Sequence, residues 1–207
     1  MPFDTRNPRL YLASRSPRRR ELLTQMGIQF DTLAFRAPPR QDDDVDETAH
    51  DGETPLIYVE RVARLKAEHG WRTVEMRRLM PQLVLAADTT LEFDGEIIGK
   101  PVDAADARAI LSRLSGRTHQ VLTAVAVAFE GRIESVTSIS DVTFGNLTDG
   151  DIRRYVASGE PMDKAGAYGI QGRAGGFVEH LSGSYSGVMG LPLYETGVLL
   201  RRFGFPL

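Results

Sequence analysis

The chain contains no cysteine among its 207 residues. This absence excludes disulfide bridges, thiolate metal sites and a cysteine nucleophile. No apolar run approaches the length of a membrane span, and residues 1–6 are polar, unlike a secretory signal. We therefore expect a cytoplasmic protein without a membrane partner.

The chain also lacks an excess of charge of one sign. Its 25 basic and 28 acidic residues give a net charge of −3, which does not favour nucleic-acid binding. The four histidines have no metal-type spacing, and no Gly-x-Ser-x-Gly elbow is present. The length allows a large α/β core, and no repeat or linker divides the sequence. We expect a single domain over residues 1–207.

Hydrophobic periodicity alternates between strand and helix patterns along the chain. It predicts strands over residues 9–13, 29–34, 83–87, 121–129, 132–144 and 177–181, and a hairpin at Asp94-Gly95. It predicts helices over residues 17–26, 56–70, 103–114, 148–158 and 192–203, with connections over 36–53 and 71–81. Long antiparallel strands beside helix-linked strands indicate a mixed sheet in an α/β fold.

A basic segment opens the first predicted helix. Ser16 suits the N-cap, and Pro17 suits the first helical position. Arg18 and Arg19 follow where the helix dipole is already positive, so an anion nearby would stabilise them. The free helix N-terminus, the hydroxyls of Ser14 and Ser16 and the two guanidinium groups predict a phosphate site. A solvated basic turn is the alternative.

Carboxylates occur in two notable places. Asp88 directly follows the apolar run 83–87, so we expect it at the end of a strand, where it could hold a metal or activate water. A turn aspartate satisfying backbone donors is the alternative. The second place is an acidic cluster that comprises Asp42, Asp43, Asp44, Asp46 and Glu47. This cluster is either a solvated loop or a cation site.

Polar residues in later connections could complete a ligand site. Lys66, on a helix, and Lys100, in a turn, could meet phosphate as point charges, or could be ordinary surface lysines. Gln171 lies in the Gly- and Ala-rich segment 160–172, where its amide could pair with a base edge or with its own backbone. We interpret segment 184–193 as a structural turn.

Six short segments match, in order and over nearly the whole chain, the pattern of one known family. They cover residues 12–19, 87–89, 99–101, 114–116, 160–172 and 190–193. On these motifs the chain resembles the Maf family of nucleoside triphosphate pyrophosphatases. The resemblance implies a mixed, elongated, curved sheet flanked by helices, with two lobes around a central cleft, as in inosine triphosphatase. It also implies hydrolysis between the α and β phosphates.

The matched positions imply roles for individual residues. Asp88 corresponds to the family's proton acceptor. Arg18, Thr89 and Gln171 fall where the family sets base preference, and they resemble the branch that acts on dTTP and UTP rather than on 7-methyl-GTP. Phosphate contacts are implied for Ser14, Arg19, Lys66 and Lys100.

The resemblance also implies a divalent cation, Mg²⁺, Mn²⁺ or Co²⁺, held by Glu47 and Asp88. Extra residues at 38–43 precede Glu47, which leaves Asp46 as an alternative ligand. The expected partner is a nucleoside triphosphate, and a homodimer agrees with the family and with the frequency of two-fold assemblies. Three alternatives stay open: a 7-methyl-GTP pyrophosphatase, a nucleotide sensor linked to septum formation in cell division, and a nucleic-acid binder using residues 15–20.

Overall fold

The computed structural model describes residues 8–33 and 45–207. Seven strands form one sheet: β1 (Arg9–Leu12), β2 (Gln29–Thr32), β3 (Val84–Phe93), β4 (Glu96–Ile98), β5 (Thr118–Phe129), β6 (Arg132–Phe144) and β7 (Val178–Ser182). The helices are α1 (Pro17–Gln25), α2 (Pro55–Met76), α3 (Ala104–Leu114), α4 (Asp149–Ala157), α5 (Tyr185–Met189) and α6 (Leu193–Arg202). Short 3-10 turns cover 160–163, 165–167 and 173–177.

The sheet is mixed, as the sequence predicts. Its order is β2-β1-β3-β5-β6-β7, with β4 also paired to β3. β1 runs parallel to β2 and β3, whereas the pairs formed by β3 through β7 are antiparallel. The predicted hairpin is confirmed, because Phe93 pairs with Glu96 and both turn residues, Asp94 and Gly95, have positive φ.

Two clusters of buried apolar side chains lie along this sheet. The first packs β1, α1, α2 and α6 on the central strands, and the second packs β4, α3 and α4 on the same sheet farther along. Met189 contacts both clusters. This arrangement of helices on a mixed sheet confirms the predicted α/β fold class. No helix in residues 8–33 or 45–207 is long and apolar enough to cross a membrane.

α2 extends past the predicted end near Gly70 and continues to Met76. The predicted connection over 71–81 is therefore wrong for its first six residues. Gly70 is buried against the sheet, where an added Cβ would lie 2.7 Å from Val84 Cγ1. The glycine is thus explained by close helix–strand packing and not by a helix stop.

β3 is one continuous strand, so the prediction that Asp88 lies at a strand end is wrong. Asp88 is in the middle of β3, because the strand continues through the hairpin to Phe93. Pairing with β1 ends at Leu12↔Leu85, and pairing with β4 begins at Leu91↔Ile98. Among the described strands, none covers the β3 edge between these two pairs. The predicted end of the second strand at residue 34 and residues 36–44 of the connection 36–53 lie outside the described residues.

Candidate active site

A cleft of about 700 Å³ opens beside the uncovered edge of β3, a size suited to a nucleotide-sized ligand. All ten residues predicted for the site line it: Ser14, Ser16, Arg18, Arg19, Glu47, Lys66, Asp88, Thr89, Lys100 and Gln171. The cleft therefore joins chain segments that are far apart in sequence. The acidic residues 42–44 and the extra residues 38–43 lie outside the described residues.

Arg19 connects three walls of this cleft. Its Nε donates to the Gly190 carbonyl at 2.8 Å, one terminal nitrogen donates to Ser14 Oγ at 3.3 Å, and the other donates to Thr89 Oγ1 at 3.3 Å. Burial lowers the pKa of Arg19 from its ordinary value, although the negative charge of Asp88 opposes this shift. The guanidinium thus fixes the β1–α1 turn against β3 and the α5–α6 connection.

The β1–α1 turn presents the start of a helix to the cleft. Ser16 occupies the N-cap position with extended backbone and Pro17 follows at the start of α1, as predicted. The Ser16 side chain forms no capping bond, and its backbone N–H donates instead to Ser14 Oγ at 3.2 Å. The first turn of α1 holds no acidic side chain. The helix terminus therefore keeps its preference for an anion.

Lys66 lies between two carboxylates on the same side of the cleft. Its Nζ is 2.8 Å from Asp88 Oδ1 and 2.9 Å from Glu47 Oε1. Tyr58, which lies earlier on α2 than Lys66, donates its hydroxyl to the Glu47 carbonyl at 3.0 Å. Burial, together with the charges of Asp88 and Glu47, raises the pKa of Tyr58 to about 12, so this donor stays protonated.

The segment before α2 distinguishes Glu47 from the alternative ligand Asp46. Asp46 accepts a hydrogen bond from Thr48 N at 2.9 Å and does not line the cleft. Arg61 fixes the segment, since it donates to Glu53 Oε1 at 2.7 Å and to the Thr48 carbonyl at 2.9 Å. The same bond lowers the pKa of Glu53 to about 2. Glu47 is thereby the acidic side chain of this segment that reaches Lys66.

The donor set suits a hard divalent cation shared with a ligand. Within the described residues, no group of three or more His, Asp or Glu side chains is placed to hold a metal. Two carboxylates, Asp88 and Glu47, converge on one ammonium group, which shows that they can share a cation. Mg²⁺ is commonly bound by one or two carboxylates plus substrate phosphates. These residues fit such a cation.

The opposite wall carries Gln171 on a braced loop. Glu160 accepts hydrogen bonds from the Tyr155 hydroxyl at 3.2 Å and from Arg173 N at 3.3 Å. The Tyr155 oxygen also accepts from Gly169 N at 3.3 Å. The Gln171 side chain is exposed to the cleft, and its amide forms no hydrogen bond with any residue that the structure describes. The alternative that this amide bonds its own backbone is not observed.

Two contacts join the walls at the cleft mouth. Arg18 lies 3.6 Å from Asp163 Oδ2, in an ion pair whose carboxylate is largely exposed and therefore stabilises little. The turn holding Lys100 is tied to the Gln171 wall, because the Gly99 carbonyl accepts from Gly166 N at 3.0 Å. Lys100 itself is exposed at the cleft rim.

Several cleft residues escape the sequence analysis. Tyr58, Tyr168 and residues 188–190 line the cleft, although segment 184–193 is predicted to be only a structural turn. Tyr168 is buried and hydrogen-bonded to His119 Nε2 at 2.8 Å. Burial lowers the pKa of His119 to about 4, so its imidazole is neutral at pH 7. The glycine at position 190 is the signal available in the sequence, because its φ of 115° favours glycine and its carbonyl accepts from Arg19 Nε.

The family model described as Maf-like protein matches residues 9–203. The dTTP/UTP pyrophosphatase of Dechloromonas aromatica (strain RCB) is 67% identical over 197 residues, covering 95% of this chain and 98% of the relative. The protein of the same name from Aromatoleum aromaticum is 64% identical, covering 96% and 97%, and that from Chromobacterium violaceum is 55% identical, covering 99% and 100%.

A solved structure shares the fold. The Staphylococcus aureus Ham1 protein aligns with a TM-score of 0.50 at 17% identity, covering 94% of this chain and 97% of that one. At this identity the likeness concerns the fold alone. The matching family model and the relatives that align over nearly their whole length establish the family: the chain belongs to the Maf family.

Proposed function

We propose that the protein is a dTTP/UTP pyrophosphatase, which hydrolyses these nucleotides to the nucleoside monophosphate and pyrophosphate. The observation that carries the proposal is the single cleft that brings the Asp88 carboxylate together with Arg18 and the N-terminus of α1. The names of relatives at 55–67% identity over nearly the full chain support the same activity. Acting on free nucleotides, such an enzyme would serve housekeeping of the cytoplasmic nucleotide pool.

The charges of the cleft match a triphosphate. Arg18, Arg19, Lys66 and Lys100 supply four cationic side chains around the β3 edge. Fixed cations and helix N–H groups stabilise the charge that develops as a phosphoryl bond breaks, and they need little reorganisation to do so. These four side chains therefore suit the phosphate chain, which is common to all nucleoside triphosphates.

Asp88 is placed to act as the proton acceptor. In the proposed reaction its carboxylate takes a proton from water as the water oxygen bonds to the α-phosphorus. The bond from the α-phosphorus to the bridging oxygen breaks, and pyrophosphate leaves with the electron pair. Lys66 orients the carboxylate through its 2.8 Å contact with Asp88 Oδ1.

We further propose that Asp88 and Glu47 hold a divalent cation, Mg²⁺, Mn²⁺ or Co²⁺. When bound, the cation would neutralise phosphate charge and stabilise the pyrophosphate leaving group. Both carboxylates contact Lys66, so this residue would balance their charge until substrate and cation arrive.

Uracil and thymine share an N3–H donor between two carbonyl acceptors. The Gln171 amide can donate to one of these carbonyls, which leaves the N3–H group for another acceptor in the cleft. Arg18 and Thr89 line the same cleft and complete the polar set. A purine edge has a different pattern of donors and acceptors, and it would leave these groups unpaired.

A nucleotide panel tests the proposed function. Pyrophosphate release should be fastest with dTTP and UTP in the presence of Mg²⁺, Mn²⁺ or Co²⁺, and chelation with EDTA should abolish it. Asp88→Asn should lower kcat by about a thousandfold, because general-base catalysis contributes on that scale. Asp31→Asn, on the exposed strand β2, is the matched control and should keep kcat.

Two results would contradict the proposal. Wild-type protein that releases no more pyrophosphate than Asp88→Asn would exclude the hydrolase. A faster reaction with 7-methyl-GTP than with dTTP would move the protein to the other substrate branch.

A further inference from the structure

The hydroxyl groups of Ser14 and Thr89 flank Arg19 in the cleft wall, and their hydrogen bonds within the protein determine which donors and acceptors remain for a ligand. Ser14 Oγ accepts from Ser16 N at 3.2 Å and from Arg19 at 3.3 Å. A serine oxygen has two lone pairs and one proton, so both lone pairs are used. The Ser14 proton remains to be donated to a ligand.

Unlike Ser14, Thr89 uses its hydroxyl proton within the protein, because of a buried neighbour, Thr123. Thr123 is fully buried on β5, directly opposite Thr89 in the strand register. Its hydroxyl lies 2.8 Å from the Gly187 carbonyl, which can only accept, so the Thr123 proton is committed there. The two threonine oxygens are 3.0 Å apart. The proton between them must therefore come from Thr89.

This relay leaves Thr89 with one free lone pair and no free proton. Arg19 donates to its oxygen at 3.3 Å, which uses the other lone pair. Thr89 is partly exposed and lines the cleft. The chain of donors runs from Arg19 through Thr89 and Thr123 to the Gly187 carbonyl, so the polarity of Thr89 is set by a residue that does not line the cleft.

The two hydroxyls therefore select different parts of a nucleotide. Phosphate oxygens accept hydrogen bonds, so they suit the Ser14 proton and are repelled by the free lone pair of Thr89. That lone pair suits a donor. On the pairing edge of uracil or thymine the donor is N3–H, whereas cytosine carries an acceptor at N3.

We propose that Thr123 is a positioning residue that fixes Thr89 as an acceptor for the N3–H group of uracil or thymine. Through this relay the protein would favour uracil over cytosine at a position that Thr123 never touches. The inference rests on the proposed function and adds a determinant of its base preference.

A pair of substitutions separates the relay from simple packing. Thr123→Val keeps the shape of the side chain but removes its hydroxyl, which frees the Thr89 proton to turn towards the cleft. Thr123→Ser keeps the hydroxyl and loses a methyl group. We expect Thr123→Val to lower the ratio of kcat/KM for UTP over CTP by about three- to tenfold, the scale of one hydrogen bond. Thr123→Ser should keep this ratio within about twofold.

Equilibrium binding gives the same readout without turnover. Non-hydrolysable α,β-methylene analogues of UTP and CTP should show the same fall in affinity ratio for Thr123→Val, measured by calorimetry. Melting temperatures of both variants identify any loss of folded protein. Binding preference that follows the relay, with no pyrophosphate released by wild-type protein, would overturn the proposed function and leave this inference standing.

Three outcomes would overturn the relay. The UTP/CTP ratio of Thr123→Val could stay at the wild-type value in both assays. Thr123→Ser could lose the preference as fully as Thr123→Val. The change could also appear in the ratio of UTP over dUTP, which would assign the Thr89 lone pair to the ribose hydroxyl and not to the base.

Discussion

The two long walls of the cleft are held in place by different means. On one wall, charged side chains bind one another directly, as in the contacts of Lys66 with Asp88 and Glu47. On the wall that carries Gln171, the loop is fixed through its backbone, because Glu160 and Tyr155 bind the N–H groups of Arg173 and Gly169. The first wall is organised by charge and the second by the shape of a loop.

Under the proposed function, this difference predicts separate tasks for the two walls. Phosphate groups are the same in every nucleoside triphosphate, so the charged wall can supply rate but little choice of base. The Gln171 wall presents a neutral amide on a fixed backbone, which suits hydrogen-bond discrimination. Changes to the charged wall should therefore act on kcat, and changes to the Gln171 wall should act on KM and on base preference.

The largest effect should come from the charged wall. Lys66→Met leaves the carboxylates of Asp88 and Glu47 without their shared cation and removes one charge from the phosphate site. We expect kcat for UTP to fall by about a hundredfold or more, the scale of losing one transition-state donor. Arg64→Met, on the same helix and exposed away from the cleft, should keep kcat. A Lys66→Met enzyme with wild-type kcat would break the division between the walls.

A smaller effect should come from the brace of the Gln171 wall. A Cβ added at Gly172 would overlap Glu160 Oε1, which Tyr155 holds from the other side. Gly172→Ala should therefore displace the loop, raise KM for UTP by about tenfold and change kcat much less. Steady-state kinetics with UTP and dTTP measure both parameters.

Gly176→Ala is the matched control for this prediction. Gly176 lies in the same part of the chain, has no positive φ and has no atom within 4 Å of an added Cβ. It should keep both KM and kcat. Equal losses of kcat in Gly172→Ala and Lys66→Met would show that the loop also organises the reacting groups.

The smallest effect concerns stability beneath the Gln171 wall. Burial lowers the pKa of His119 from an ordinary value of 6.5 to about 4, so the folded state favours the neutral imidazole. As the pH falls from 7 to 5, the unfolded chain takes up this proton first and the free energy of unfolding decreases, by about 2 kcal/mol. His119→Gln keeps a partner for Tyr168 without titrating, and urea unfolding should then depend less on pH.

His180→Gln provides the comparison, because His180 is exposed on β7. Its unfolding curves should keep the wild-type dependence on pH between 7 and 5. An unchanged dependence in His119→Gln would show that other groups determine the acid sensitivity.

The charged wall could be predicted from sequence because its chemistry resides in residue types. The roles proposed for Arg19 and Asp88 reside in their side chains, and the short segments 12–19 and 87–89 contain them. The position of Asp88 within β3 could not be predicted, because the apolar run ends at residue 87 while strand pairing continues. The extension of α2 beyond Gly70 depends on contact with Val84, which no local pattern records.

Thr123 shows the limit more sharply. A threonine in a strand is ordinary, and its significance depends on Thr89, 34 positions away along the chain, and on a carbonyl of α5. The loop brace has the same character, since Glu160 acts on Arg173 through its backbone. Such roles follow from strand register and loop closure, and the type of a single residue does not predict them.

One edge of β3 is unpaired at residues 86–90, between β1 and β4, while the other edge pairs with β5. This open edge explains how one ligand can use adjacent residues. Neighbouring side chains in a strand point to opposite faces of a sheet, so Asp88 meets α2 through Lys66 while Thr89 meets α5 through Thr123. If both edges of β3 were paired here, the sheet would separate these two side chains, and one ligand could not contact both. A nucleotide lying across this open edge can contact both side chains.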